Sequence, residues 1–251
     1  MGEMRGRIET LPDPAALAHH VAEWMTSAAL AAKGTFRVSL SGGSTPKALF
    51  ALLASDEFVG RFPWPQVSWY WGDERFVPYD HPESNYRMTR EAMLDKAPVP
   101  PGNVHPVPAD GTPEEAASRY ERTLQAAYGA AVLDPATPLF DITLLGLGPD
   151  GHTASLLPGE PVLQERKRWV AAVSHGRPEV RITMTYPVIE SSRRIAFLVA
   201  GKEKAAIFSA IRAGNSRVPA ARVQPIGELF WFVDRAAAGE EQAPHRTGAR
   251  S

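Results

Sequence analysis

The chain has 251 residues, 44% of them apolar and 22% charged, a balance that excludes global disorder and leaves enough apolar surface for a sizeable core. Its 27 basic and 28 acidic side chains leave a formal net charge of −1, which argues against a nucleic-acid partner. The absence of cysteine removes disulfides, thiolate zinc sites, iron–sulfur clusters and a cysteine nucleophile.

The opening MGEMRGRIETLPDP lacks the apolar stretch of a secretory leader, and no run approaches 18 apolar residues. No membrane association is expected, and the setting expected is cytoplasmic. Asp13 and Pro14 supply an N-cap and a first-turn proline, and Leu17, Val21, Trp24, Met25 and Ala28 then share a helical face that ends before Gly34. TFRVSLSGG reads as a buried strand running into a tight turn, Thr45-Pro46 opens a second helix to about Ala54, and VSWYWGDE is the next strand. Thr112-Pro113-Glu114-Glu115 matches a capping box for a helix closed by Gly129. FDITLLGLG, WVAAVS, RIAFLVAG and ELFWFV complete the strands, with a helix from about Lys202 to Ala213 between the last two. The 23 prolines, about twice the average frequency, lie between these runs and stiffen loops; the role of the proline-rich stretch 97–108 is open.

Strands alternating with helices predict an α/β fold, a single-domain doubly wound, mostly parallel sheet with helices on both faces. The domain is expected to span 1–235, with 236–251 a flexible C-terminal tail. Ligands of such sheets bind beyond the carboxyl ends of the strands, so the strand-end loops are the place to look for chemistry. Ser41-Gly42-Gly43-Ser44-Thr45-Pro46 fits a phosphate cradle at a helix N-terminus, and fits equally an ordinary serine-capped turn. It has neither Walker A nor GxGxxG spacing. Gly72-Asp73-Glu74-Arg75 places charges at the end of an aromatic strand, where a structural ion pair is the simpler reading of Arg75. Gly146-Leu147-Gly148-Pro149-Asp150-Gly151-His152-Thr153 is a sharply shaped loop from which His152 or Thr153 would begin a helix. A histidine there would be held neutral by the helix dipole, as a general base requires, with Asp150 orienting its ring. An ordinary turn histidine is the plain alternative, and a metal reading of Asp150 and His152 lacks a third ligand. Arg181, and Lys202 or Lys204, could complete a clamp on a dianion, although a solvated face is the better reading of Lys202.

The blocks SLSGGSTPKALF, WYWGDERFVPYDHPESNYRM, LLGLGPDGHTASLLPG, RITMTYPVI and AGKEKA, in this order from about residue 39 to 205, resemble the successive motifs of the 6-phosphogluconolactonase family. That family belongs to a wider group with glucosamine-6-phosphate deaminase and shares its Rossmann-like sheet. The resemblance implies hydrolysis of 6-phospho-D-glucono-1,5-lactone to 6-phosphogluconate, a step of the oxidative pentose phosphate pathway, by a carboxylic ester hydrolase. By carry-over His152 is the general base, Asp150 orients it, and Arg75 binds or polarises the reacting end. Gly42, Gly43, Ser44 and Thr45 lie close to the substrate, and Arg181 and Lys204 hold its phosphate. Asn85 falls in a family motif with no role assigned. The resemblance implies a small-molecule sugar-phosphate lactone as ligand, no metal, no cofactor and a monomer.

Two other readings remain. In the deaminases the pattern runs roughly DEY and GHIAFNEP, where this chain has Asp73-Glu74-Arg75 and GHTASLLP; the expected glutamate is Leu157, which cannot do acid–base work. A non-catalytic sugar-phosphate-binding regulator would need an added DNA-binding module, for which the roughly 30 residues before the first expected strand leave no room.

Overall fold

A computed structural model describes residues 5–214 and 217–240. Seven parallel strands form the main sheet in the order β1-β10-β9-β6-β2-β3-β5, where β1 is Arg7–Leu11, β2 Phe36–Leu40, β3 Val67–Trp71, β5 Val104–His105, β6 Ile142–Gly146, β9 Arg194–Val199 and β10 Glu228–Asp234. Three short strands, β4 (Asp73–Arg75), β7 (Val170–Val173) and β8 (Arg181–Met184), form a separate antiparallel sheet in the order β4-β8-β7. The α/β class with a mostly parallel sheet is therefore as expected.

The expected elements form for the expected reasons. In α1 (Pro14–Ala31) the Asp13 carboxylate accepts the Ala16 N–H at 2.8 Å, and Leu17, Val21, Met25 and Ala29 are buried. In α4 (Pro113–Tyr128) the Thr112/Glu115 capping box is complete and Gly129 closes the helix at φ 87°. The strands of the sheet centre are apolar throughout because both faces are covered; every residue of β3 is buried. Phe197 and Trp231 are register partners on β9 and β10 and stack with centroids 4.0 Å apart. Tyr120 ties α4 to β3: its hydroxyl accepts the Trp71 N–H at 2.7 Å and donates to the Trp71 carbonyl at 3.0 Å. One continuous apolar cluster extends from Leu17 to Ala237.

Several expectations need correction. WVAAVS is a strand, but of the small sheet, where it pairs with the unexpected strand RITM. The segment before Phe36 also holds a strand, β1, whose half-exposed edge position hides the apolar run that marks a central strand. The proline-rich stretch supplies the short edge strand β5. Residues 236–240 are not a frayed tail: α7 (Arg235–Ala238) is capped by Asp234, and Ala237 is buried. The rest of that expected tail, 241–251, lies outside the described residues.

β3 and β4 are nearly one strand, divided by Gly72. Its N–H donates to Leu40 O in the main sheet at 2.9 Å, and its carbonyl accepts the Met184 N–H of the small sheet at 2.8 Å. This residue thus bonds to both sheets through its backbone.

Candidate active site

The loops that leave β2, β3, β6 and β9 converge with β4, β8 and Asn85 around a cleft of about 230 Å³. Gly42, Gly43, Ser44, Thr45, Arg75, His152, Arg181 and Lys204 all line it, together with Asp73, Asn85, Gly148, Thr153 and Ala154. Asp150 does not line the cleft but stands behind His152. Lys202 is exposed and outside it.

On one side lies the start of α2 (Ser44–Leu53). Its N-cap is Gly43, which offers no capping side chain, and the first N–H drawn into the helix is that of Lys47, bonded to Gly43 O at 3.1 Å. The N–H groups of Ser44 and Thr45 belong to the orphan donors of a helix start and suit an anion. Gly42 is required by a close approach: a Cβ there would fall 2.1 Å from Asn85 Oδ1. Asn85 is buried and donates from Nδ2 to Asp73 O at 3.0 Å, so it braces the strand end that carries Asp73 and Arg75.

Opposite stand two arginines. β4 and β8 pair so that Arg75 and Arg181 are direct cross-strand partners, an arrangement of like charges that costs stability unless an anion joins them. Arg75 donates from Nη1 to the Glu83 carboxylate and carbonyl, each at 2.9 Å, while the nearly buried Arg181 has, among the described residues, a single ion pair, with Glu179 at 3.7 Å. The Nε atom of each is buried without a hydrogen-bond partner. Burial and then the Arg75 charge push Arg181 below its ordinary value. Lys204 adds a third cation, with no ion pair among the described residues. Beneath this edge Glu74 anchors the loop: its carboxylate accepts from the N–H groups of Arg75, Asn85 and Tyr86 at 2.7–2.8 Å and from Ser84 Oγ at 3.1 Å. Asp73 accepts from Ser155 Oγ at 2.7 Å.

His152 completes the site. Its Nδ1 lies 2.5 Å from Asp150 Oδ1, which also accepts the His152 backbone N–H at 3.1 Å. Although burial pushes Asp150 up, bonds from Arg177 and His152 outweigh it and hold its carboxyl well below the usual range. Facing an ionised carboxylate, Nδ1 is the ring nitrogen that carries a proton, so the tautomer with its lone pair on Nε2 is the one this geometry selects. Gly148 makes room for the ring, since a Cβ there would meet Nδ1 at 2.0 Å. The expected helix after this loop does not form: Thr153 and Leu156 make an isolated bridge and Ala154 sits at φ +47°. Ser155 explains this, because its N–H bonds to Thr183 Oγ1 and its hydroxyl to Asp73. The imidazole is therefore held by a carboxylate and not at a helix start. The Asp150–His152 pair gains no third metal ligand among the described residues; the His19, Glu23 and Glu57 cluster lies elsewhere on the chain.

Sequence reasoning missed Arg177, whose Nη2 donates to Asp150 Oδ2 at 2.8 Å, and gave Asp73, Thr153 and Ala154 no place in the site. No spacing signal links Arg177 to Asp150, 27 residues away.

The model of the family described as glucosamine-6-phosphate isomerases/6-phosphogluconolactonase matches residues 12–231. The chain belongs to this family. Within it, a 6-phosphogluconolactonase of Nostoc sp. is 38% identical over 94% of this chain and 99% of its own length, and the human 6-phosphogluconolactonase is 39% identical over 89% and 88%. The crystal structure of 6-phosphogluconolactonase from Thermotoga maritima superimposes with TM-score 0.77 at 30% identity, covering 91% of this chain and 99% of that one. A monomeric glucosamine-6-phosphate deaminase shares the fold at TM-score 0.78, with 20% identity over 94% of this chain and all of the other.

Proposed function

We propose that this chain hydrolyses 6-phospho-D-glucono-1,5-lactone to 6-phosphogluconate in the oxidative pentose phosphate pathway, with His152 as general base. The observation that carries this reading is the pairing of His152 Nδ1 with Asp150 at 2.5 Å, with the His152 ring in the same small cleft as the cross-strand pair Arg75 and Arg181. A cleft of about 230 Å³ is below the roughly 300–1,000 Å³ of drug-sized ligand sites and suits one sugar ring with its phosphate. Arg181, Lys204 and the N–H groups at the start of α2 take the phosphate, and Arg75, directly across from Arg181, adds its charge to the same anion.

Nε2 of His152 takes a proton from water as the water oxygen bonds to the lactone carbonyl carbon. The oxyanion then collapses, the bond from that carbon to the ring oxygen breaks, and the imidazolium returns its proton to the leaving oxygen. The product is an open-chain acid, which ionises. General-base assistance of this kind is worth about 10²–10⁴-fold, enough for an activated ester without a covalent intermediate.

The deaminase reading lacks its acid: Leu157 is buried and does not line the cleft. A monomer in the cytoplasm is part of the same proposal; no helix among the described residues is long and apolar enough to cross a membrane. A coupled assay with freshly made phosphogluconolactone, run beside glucosamine 6-phosphate with ammonia monitored, tests the reading. Lactone turnover without ammonia release supports it. Ammonia release, or tight binding of either sugar phosphate with no turnover, overturns it.

A further inference from the structure

Arg177 stands in the turn between β7 and β8, outside the cleft lining, yet it reaches the base from behind. Its Nη2 donates to Asp150 Oδ2 at 2.8 Å and lies 3.2 Å from His152 Nδ1. The two oxygens of Asp150 are thereby divided, Oδ1 to His152 and Oδ2 to Arg177. This division has two consequences for the ring. With Oδ2 occupied, the carboxylate cannot rotate to draw Nδ1 elsewhere, so the tautomer is fixed. And a lone carboxylate beside an imidazole pulls a second proton onto it, whereas a guanidinium at 3.2 Å pushes that proton away.

Resting on the reading of His152 as the base, we infer that Arg177 is a positioning residue: it offsets the charge of Asp150 so that His152 is oriented by the carboxylate without being turned into an imidazolium. The other charged groups around the ring are those of the cleft, Arg75, Arg181, Lys204 and Asp73, with Glu179 paired to Arg181. None of them bonds to Asp150 or to the imidazole. Arg177 is the cation that bonds to Asp150 and stands beside the ring.

The test uses the full chain with Arg177→Met and Arg177→Lys. Two measurements are made: the pH dependence of kcat/KM on phosphogluconolactone, and the protonation of the His152 ring nitrogens by imidazole nitrogen–proton NMR, with the signal assigned by its loss in His152→Asn. In Arg177→Met the acid limb of kcat/KM moves up by about one pH unit, KM stays within about twofold, and the ring takes its second proton at correspondingly higher pH. Arg177→Lys, which keeps the charge but not the fork, recovers most of that shift. An unmoved ring titration in a folded Arg177→Met protein overturns the inference, as does a large rise in KM with the acid limb in place, which would make Arg177 a substrate contact. The NMR arm needs no turnover, so absence of lactonase activity would count against the proposed reaction alone.

Discussion

In the proposed reaction, replacing His152 by alanine takes away the nitrogen that receives the proton of water and leaves the proposed phosphate-holding groups in place. The expected result is a fall in kcat of about 10²–10⁴-fold with little change in thermal midpoint, since among the described residues the ring's side-chain hydrogen bond is to Asp150. Steady-state kinetics and a melting curve on the same preparation check it, and near-normal turnover by the folded variant would remove His152 from the mechanism. Gly148→Ala probes the same ring through space. A methyl group 2.0 Å from Nδ1 forces the imidazole off its carboxylate, so kcat falls by at least about tenfold while KM changes less, because a misplacement of about 1 Å at the reacting group costs up to 10² in rate. A larger effect on KM than on kcat would show that the ring had not been the part displaced. His152 and Asp150 were legible from their place after an apolar strand. Arg177 was not, because its bond to Asp150 depends on how the turn before β8 folds back over the β6 loop, which no local pattern records.

At the scale of elements, the β4–β8 ladder sets Arg75 against Arg181, so the two should act as a unit. Each single change to glutamine is expected to raise KM roughly tenfold, and the double variant by clearly less than the product of the two, since partners in contact are non-additive. Additive effects would return Arg75 to the reacting end of the substrate. The central strands β2, β3, β6, β9 and β10 could be read from the chain because burial on both faces writes them as unbroken apolar runs. β8 escaped, and β4 was read only as the end of the β3 strand, for the opposite reason: DER and RITM are short, and their ladder joins residues about a hundred positions apart, so only the tertiary fold makes them a sheet of their own. The helix expected after His152 failed on a similar competition. Thr153-Ala154-Ser155-Leu156 could form a turn of helix, but Ser155 is bonded to Thr183 and Asp73, and side-chain bonds of this kind win over a marginal helix start.

Across the whole molecule, stability should carry the signature of a buried acid. Burial pushes the Glu74 carboxyl up to about 7, against the lowering pull of the Asn85, Tyr86 and Arg75 N–H groups, and Asp73 raises it further; burial raises Glu190 in the same direction. Because the folded value of Glu74 lies above its unfolded 4.5, the protonated form is favoured on folding. That contribution is full below about pH 4.5 and is lost as pH rises through about 7. The urea midpoint is therefore expected to be lower at about pH 8 than at about pH 5, and Glu74→Gln to be less stable at both but to show a flatter dependence. An unchanged slope in that variant would assign the effect to other groups. The junction at Gly72 bears on the molecule in another way. One residue donates to the main sheet and accepts from the small one, so the distance of Arg75 from the end of β3 is a length of pleated backbone. Adding a residue at that joint would advance Arg75 by about 3.3 Å and turn its side chain to the opposite side. The reach of Arg75 into the cleft is thus set by a count of residues along the chain.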